Sequence, residues 1–338
     1  MKMLKNKALI TTIAFVLLNI IGCKKSDVKA EVKPDTTTPT VTTNFRVVGY
    51  LRYEGNLLNE AKAIDMGKIT HLNVAFINPD ADGNFTVDAD LKQVAILAHN
   101  SKVQILASIA GGIPPAYFST LITPAMQPKF IAGLLKLVDD NLLGGIDVDI
   151  EQDLIDNNYE SFVTALAAAL KAKGKLTTAA VATVYATKYS DNALAKLDFI
   201  NIMSYDKTGP WNQANPGQHS PYSMAVEDLA YWNGTRGIAK EKLSLGVPFY
   251  GYGFGKNAPE SLAFSEIITA YPGSADKDQV TVSGGGIVYY NGIPTIKSKT
   301  ELAYEKAGGI MIWQLRQDAT GANSLLGAIN TVIKSHSK

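Results

Sequence analysis

A (β/α)8 TIM barrel is the fold the sequence predicts for residues 45–338, on three observations. Short apolar runs alternate with amphipathic stretches of helical period, and the alternation repeats eight times. The runs are continuously apolar rather than alternating, as parallel strands covered on both faces require. A doubly wound open sheet is the main rival, but it usually carries a Gly-rich phosphate turn after its first strand, and "GYLRYEG" (49–55) is no such turn.

Taken in order, the predicted strands are "FRVVGYL" from Phe45, "ITHLNVAFI" from Ile69, "VQILASIAG" from Val103 and "GIDVDIE" from Gly145. They continue with "LTTAAVATV" from Leu176, "FINIMSY" from Phe199, "LSLGVPFYG" from Leu243 and "GGIMIWQL" from Gly308. Between them "DADLKQVAILAHN", "QPKFIAGLLKLVDDNLL", "NYESFVTALAAALKAKG" and "AVEDLAYWNGTRG" place apolar residues at helical spacing. The connection between the seventh and eighth strands is longer than an ordinary βα loop, so a modest insertion is expected there.

The segment before the barrel reads differently. Lys2, Lys5 and Lys7 precede the apolar run "ALITTIAFVLLNIIG", which ends at Cys23, the only cysteine of the chain. A basic start, a short apolar core and a small residue before the cut predict an export signal over 1–22. Residues 23–44 are polar, threonine-rich and proline-spaced, which predicts a tether rather than a packed domain. "IIGC" resembles a bacterial lipobox, and that resemblance implies lipidation of Cys23 and anchoring by lipid alone. Lys24 resembles signals passed on to the outer membrane, with either face of it possible.

Composition narrows the function. The 338 residues carry 32 Lys and Arg against 31 Asp and Glu, a net charge of +1, which gives no bulk attraction to nucleic acid. The four histidines show no ligand spacing, so no metal or other cofactor is expected. The lone cysteine, spent at the start of the mature chain, leaves no thiol for disulfides or catalysis.

The stretch "GGIDVDIE" (144–151) carries the chemistry. In a strand, Asp147, Asp149 and Glu151 share one face, and Ile146, Val148 and Ile150 share the other. Three like charges in a row repel, which leaves a solvated edge, a metal-binding acidic loop or a catalytic row as readings. On the fourth strand of a barrel the row runs toward the face where βα loops build active sites, with Glu151 outermost. An Asp pair beneath it would disfavour its ionisation and raise its pKa toward the range useful to a general acid.

These residues resemble glycoside hydrolase family 18, the chitinases and endo-β-N-acetylglucosaminidases. The family's D-x-x-D-x-D-x-E is matched by Asp147, Asp149 and Glu151, while Gly144 stands in place of the first acid. "ILASIAGG" resembles the family's S-x-G-G strand, with one extra residue between Ser108 and the pair Gly111–Gly112. "IMSYD" is similar to M-x-Y-D through Met203, Tyr205 and Asp206, and "GGIMIWQLRQD" places Trp313 where the family's tryptophan floors the sugar site.

The resemblance implies a retaining, substrate-assisted hydrolase of β-1,4-linked N-acetylglucosamine. Glu151 would be the proton donor, Asp149 would orient the 2-acetamido group, Asp147 would support Asp149, and Tyr205 would hold the acetamido carbonyl. Asp206 and Trp313 would bind the sugar, joined by Met203, Tyr50 and Phe76, although barrel interiors also use such side chains for packing. Trp211 and Trp232 extend the sugar cleft or cover the core, with Trp211, in the loop after the sixth strand, the better candidate for the cleft. The partner expected is an N-acetylglucosamine-containing oligo- or polysaccharide, bound by a monomer. Cleavage of N-glycan cores, or sugar binding without catalysis, are the alternatives.

Overall fold

The structure, a computed structural model, describes residues 45–336. The expected signal segment, Cys23 and the tether lie outside the described residues. In chain order the first seven strands are β1 (Arg46–Arg52), β2 (His71–Ala75), β3 (Gln104–Ala110), β4 (Gly145–Asp149), β5 (Leu176–Val181), β6 (Phe199–Ile202) and β7 (Leu243–Pro248). Four short strands follow, β8 (Tyr250–Phe254), β9 (Ser261–Ala263), β10 (Gln279–Thr281) and β11 (Ile287–Tyr289), and then β12 (Gly309–Trp313). The helices are α1 (Leu57–Lys62), α2 (Leu91–Asn100), α3 (Phe118–Leu121), α4 (Gln127–Asp140), α5 (Tyr159–Lys171), α6 (Asp191–Lys196), α7 (Tyr222–Leu229), α8 (Phe264–Ala270), α9 (Ile293–Lys306) and α10 (Leu325–His336).

Eight parallel strands close in the order β1-β12-β7-β6-β5-β4-β3-β2, which is the expected barrel. Strand parity decides where each side chain goes. On β4, Ile146 and Val148, and Ile150 just beyond it, join the apolar layer under the helices, whereas Asp147 and Asp149 face the barrel interior. The covering helices are built to match. α4 buries Phe130, Ile131, Leu134, Leu137 and Val138, and α5 buries Phe162, Val163, Leu166 and Leu170, spacings that keep one stripe inward. Phe130 stacks on Phe162 at 5.4 Å, and Phe162→Ala would cost about 3–5 kcal/mol by cavity formation.

The parity also disposes of the missing first acid. Gly144 belongs with the outward set, and a Cβ there would come within 2.6 Å of Gln104 Oε1 and 3.2 Å of the Ile105 carbonyl. An acid at 144 would therefore not join the interior row, so its absence does not thin that row.

The predicted seventh strand is two strands. β7 ends at Pro248, Phe249 donates its N–H to the Trp313 carbonyl, and β8 then leaves the barrel. β8 joins a separate antiparallel sheet of order β10-β11-β8-β9, with α8 after β9. This sheet is the expected insertion, and its first residue, Tyr250, turns back toward the barrel mouth.

Candidate active site

Asp147 lies fully buried at the centre of the barrel. Its Oδ2 accepts from Tyr50 Oη at 2.7 Å and Ser108 Oγ at 2.8 Å. Its Oδ1 accepts from Thr178 Oγ1 at 2.5 Å and Asn201 Nδ2 at 3.4 Å. Burial pushes its carboxyl upward, and these four donors oppose that. The strands β1, β3, β5 and β6 each supply one donor, so Asp147 is fixed from four directions.

Asp149, one residue pair nearer the mouth, is treated oppositely. It is buried, yet its Oδ1 has no hydrogen-bond partner in the protein. Burial, then Glu151, then Asp147 raise it well above the ordinary carboxylate range. Glu151 stands just past the end of β4 with its pKa pushed up to about 7, by burial first and by Asp206 second. To the Asp pair expected beneath it the structure adds burial and Asp206, a carboxylate in the loop after β6. Asp149 and Glu151 repel each other, so their protons come off as a pair. A glutamate poised near neutrality can give a proton and take one back.

The wall beside Glu151 is aromatic. Trp313 stacks on Phe76 at 5.6 Å and 28° and meets the edge of Tyr50 at 5.6 Å. Room for this comes from the glycine pair after β3. A Cβ at Gly111, where φ is +86°, would strike the Phe76 ring at 2.6 Å, and one at Gly112 would crowd Glu151 Oε1 at 3.2 Å. The residue in excess of the S-x-G-G pattern is Ala110. It adopts φ 72°, with its N–H and C=O both bound by Asn78 at 2.7 and 3.0 Å.

The opposite side comes from the loop after β6. Glu151, Met203, Tyr205, Asp206, Trp211 and Met224 line one cavity. Tyr205 is buried, its phenol raised by burial and then by Asp149, and its hydroxyl lies 3.9 Å from Met311 Sδ, a weak acceptor. Asp206 sits at φ 61°, and its Oδ1 accepts from Tyr250 Oη at 2.5 Å and faces His219 Nδ1 at 3.3 Å. Trp211 is 64% exposed, its ring edge against Tyr252, whereas Trp232 is fully buried and donates to Thr183 Oγ1. The ten site residues expected in the barrel therefore run from its buried centre at Asp147 to the cavity that Glu151 lines, whereas Trp232, also weighed for the cleft, belongs to the core. Four that were not singled out, Thr178, Asn201, His219 and Tyr250, complete the site. Thr178 and Asn201 were legible as polar residues inside buried strands; His219 and Tyr250 act across the fold and left no local signal.

Residues 46–318 match the pattern of glycosyl hydrolases family 18. The chain belongs to that family. Among solved structures similar to it, the family 18 chitinase ChiB from the chitin utilization locus of Flavobacterium johnsoniae has a TM-score of 0.79 at 39% identity, covering 86% of this chain and 94% of that one. A chitinase from Bacteroides thetaiotaomicron has a TM-score of 0.75 at 29% identity, covering 87% and 98%. Chitinase B of Serratia marcescens is 25% identical over 299 residues, 63% of this chain, and the chain spans 59% of that relative's length.

Proposed function

We propose that this family 18 member is a retaining, substrate-assisted hydrolase of β-1,4-linked N-acetylglucosamine chains. The observation that carries the reading is the buried, unpartnered Asp149 Oδ1 beside a glutamate at about 7. A buried acceptor left open costs about 1–3 kcal/mol unless something donates to it, and the N–H of a 2-acetamido group is such a donor. The three similar proteins named above are each called a chitinase, which supports the substrate class.

In this mechanism the sugar lies against Trp313 and Phe76, whose flat faces suit pyranose rings. Glu151 gives its proton to the glycosidic oxygen as the bond to C1 breaks. The acetamido oxygen attacks C1 from the opposite face, forming a cyclic oxazolinium. Asp149 holds the acetamido N–H and offsets the positive charge that develops, and Tyr205 donates to the acetamido oxygen, aligning it for attack. Asp206 binds the sugar and raises Glu151. Glu151, now a carboxylate, takes a proton from water as the water adds to C1 and the bond from C1 to the acetamido oxygen breaks, which restores the acid and the acetamido group and gives the β-anomer. Family 18 departs from the two-carboxylate retaining scheme in that the substrate's own acetamido group takes the place of the second carboxylate.

We also propose that Cys23 carries a lipid that anchors the exported protein to the outer membrane, with residues 23–44 as the tether. The catalytic reading is tested by NMR of freshly formed product from chitooligosaccharides, with a high-mannose glycoprotein digested alongside. β-Product from chitooligosaccharides is expected. An initial α-product would overturn substrate assistance, and cleavage of the glycoprotein alone would overturn the substrate.

A further inference from the structure

We propose that Lys299 is a positioning residue of this site, an internal cation that holds Asp206 in place through Ser220 and His219. The proposal rests on the reading of Glu151 as the working acid. Lys299 lies on α9, away from the cavity that Glu151 lines, and is fully buried. Its Nζ donates to the Ser220 carbonyl at 2.7 Å, to Ser220 Oγ at 2.6 Å and to Asn291 Oδ1 at 2.7 Å. Three acceptors match the three protons of an ammonium and leave no donor for the lone pair of an amine. A buried lysine with no hydrogen-bonded carboxylate is costly, and burial lowers it to about 7, with Asp278 and Asp228 pulling the other way.

What the cation holds leads directly to the site. Ser220 Oγ donates in turn to the Ser204 carbonyl at 2.6 Å, two residues before Asp206. Asn291 Nδ2 donates to the Ser220 carbonyl at 3.0 Å, so the serine is gripped from both sides. The neighbouring His219 is fully buried, with Nδ1 toward Asp206 at 3.3 Å, Nε2 toward the Tyr250 carbonyl at 3.3 Å, and its own carbonyl accepting from Lys207 N at 2.9 Å. Lys299 therefore ties together both ends of the loop that carries Asp206. The groups facing Asp206 are His219, Tyr250, Tyr252, Tyr205 and Glu151, and those facing Glu151 are Asp206, Asp149, Tyr205 and Tyr189.

Direction of effect separates positioning from plain electrostatics. Loss of a positive charge by itself would raise the pKa of Glu151, whereas release of Asp206 from its place would lower it. The test is a 13C titration of protein labelled at glutamate carboxyls, with the Glu151 signal assigned by Glu151→Gln, and it needs no substrate. Lys299→Met is expected to lower the Glu151 pKa and to reduce kcat on a chitooligosaccharide by about tenfold or more, with a smaller change in KM. In an Asp206→Asn background the same substitution is expected to move the titration no further. Ser220→Ala, which removes only one hydroxyl, is expected to move it in the same direction and serves if Lys299→Met does not fold. A raised or unmoved Glu151 in either folded variant, or an equal shift in both backgrounds, overturns the proposal. Wild-type protein inactive on every N-acetylglucosamine substrate would sink the functional reading instead, and the titration would still decide the positioning.

Discussion

Asp206→Asn is the substitution for which the geometry gives a bounded number. Glu151 stands at about 7 against an ordinary value of 4.5, and burial is the larger of the two causes. Asp206, the second cause, then carries less than half of the rise, about 1.2 pH units or about 1.6 kcal/mol at most. Removing its charge eases ionisation of Glu151, so the protonated form needed to start the reaction is lost at lower pH. The alkaline limb of kcat/KM, which reports the free enzyme, should move down by up to about one unit. The acid should remain perturbed, because burial persists. Measuring initial rates on a soluble chitooligosaccharide between pH 4 and pH 9, roughly the window around this pKa, decides the matter. A limb that stays in place, or moves up, would refute the coupling. A fall by the whole 2.5 or so, back to the ordinary value, would refute the ranking of the causes.

Three further outcomes follow from contacts at the site. Glu151→Gln keeps the shape but cannot deliver a proton, so hydrolysis should drop by about 10²–10⁴ while oligosaccharide binding by calorimetry persists; near-normal turnover would remove Glu151 from its role. Asp147→Asn presents an amide to four donors, so at least one of Tyr50, Ser108, Thr178 and Asn201 loses its acceptor, and urea denaturation should show about 1–3 kcal/mol of lost stability. Cys23→Ser should move the protein from the membrane to the soluble fraction of a host that lipidates exported proteins, and unchanged fractionation would rule out the anchor.

The chain by itself determined the barrel, because eight continuously apolar strands alternating with striped helices have few other ways to be covered. It also determined the acidic row, since parity along a strand is local: Asp147 and Asp149 had to share a face whatever surrounded them. The same rule applied to Gly144 shows that the absent acid belonged to the outer face, and it took the neighbouring Gln104 to reveal what fills that place. Electrostatics were decided only by the tertiary structure. That Asp206 acts on Glu151 beside the acids below it depends on which charges burial brings near, and Asp206 arrives from the loop after β6, more than fifty residues away in sequence. Tyr250, His219 and Lys299 are further still, each from a different element, and they converge on Asp206 or its loop only when the barrel closes. Periodicity is written in consecutive residues; a pKa is set by every dipole and charge within a few ångströms, and those neighbours are chosen by the fold.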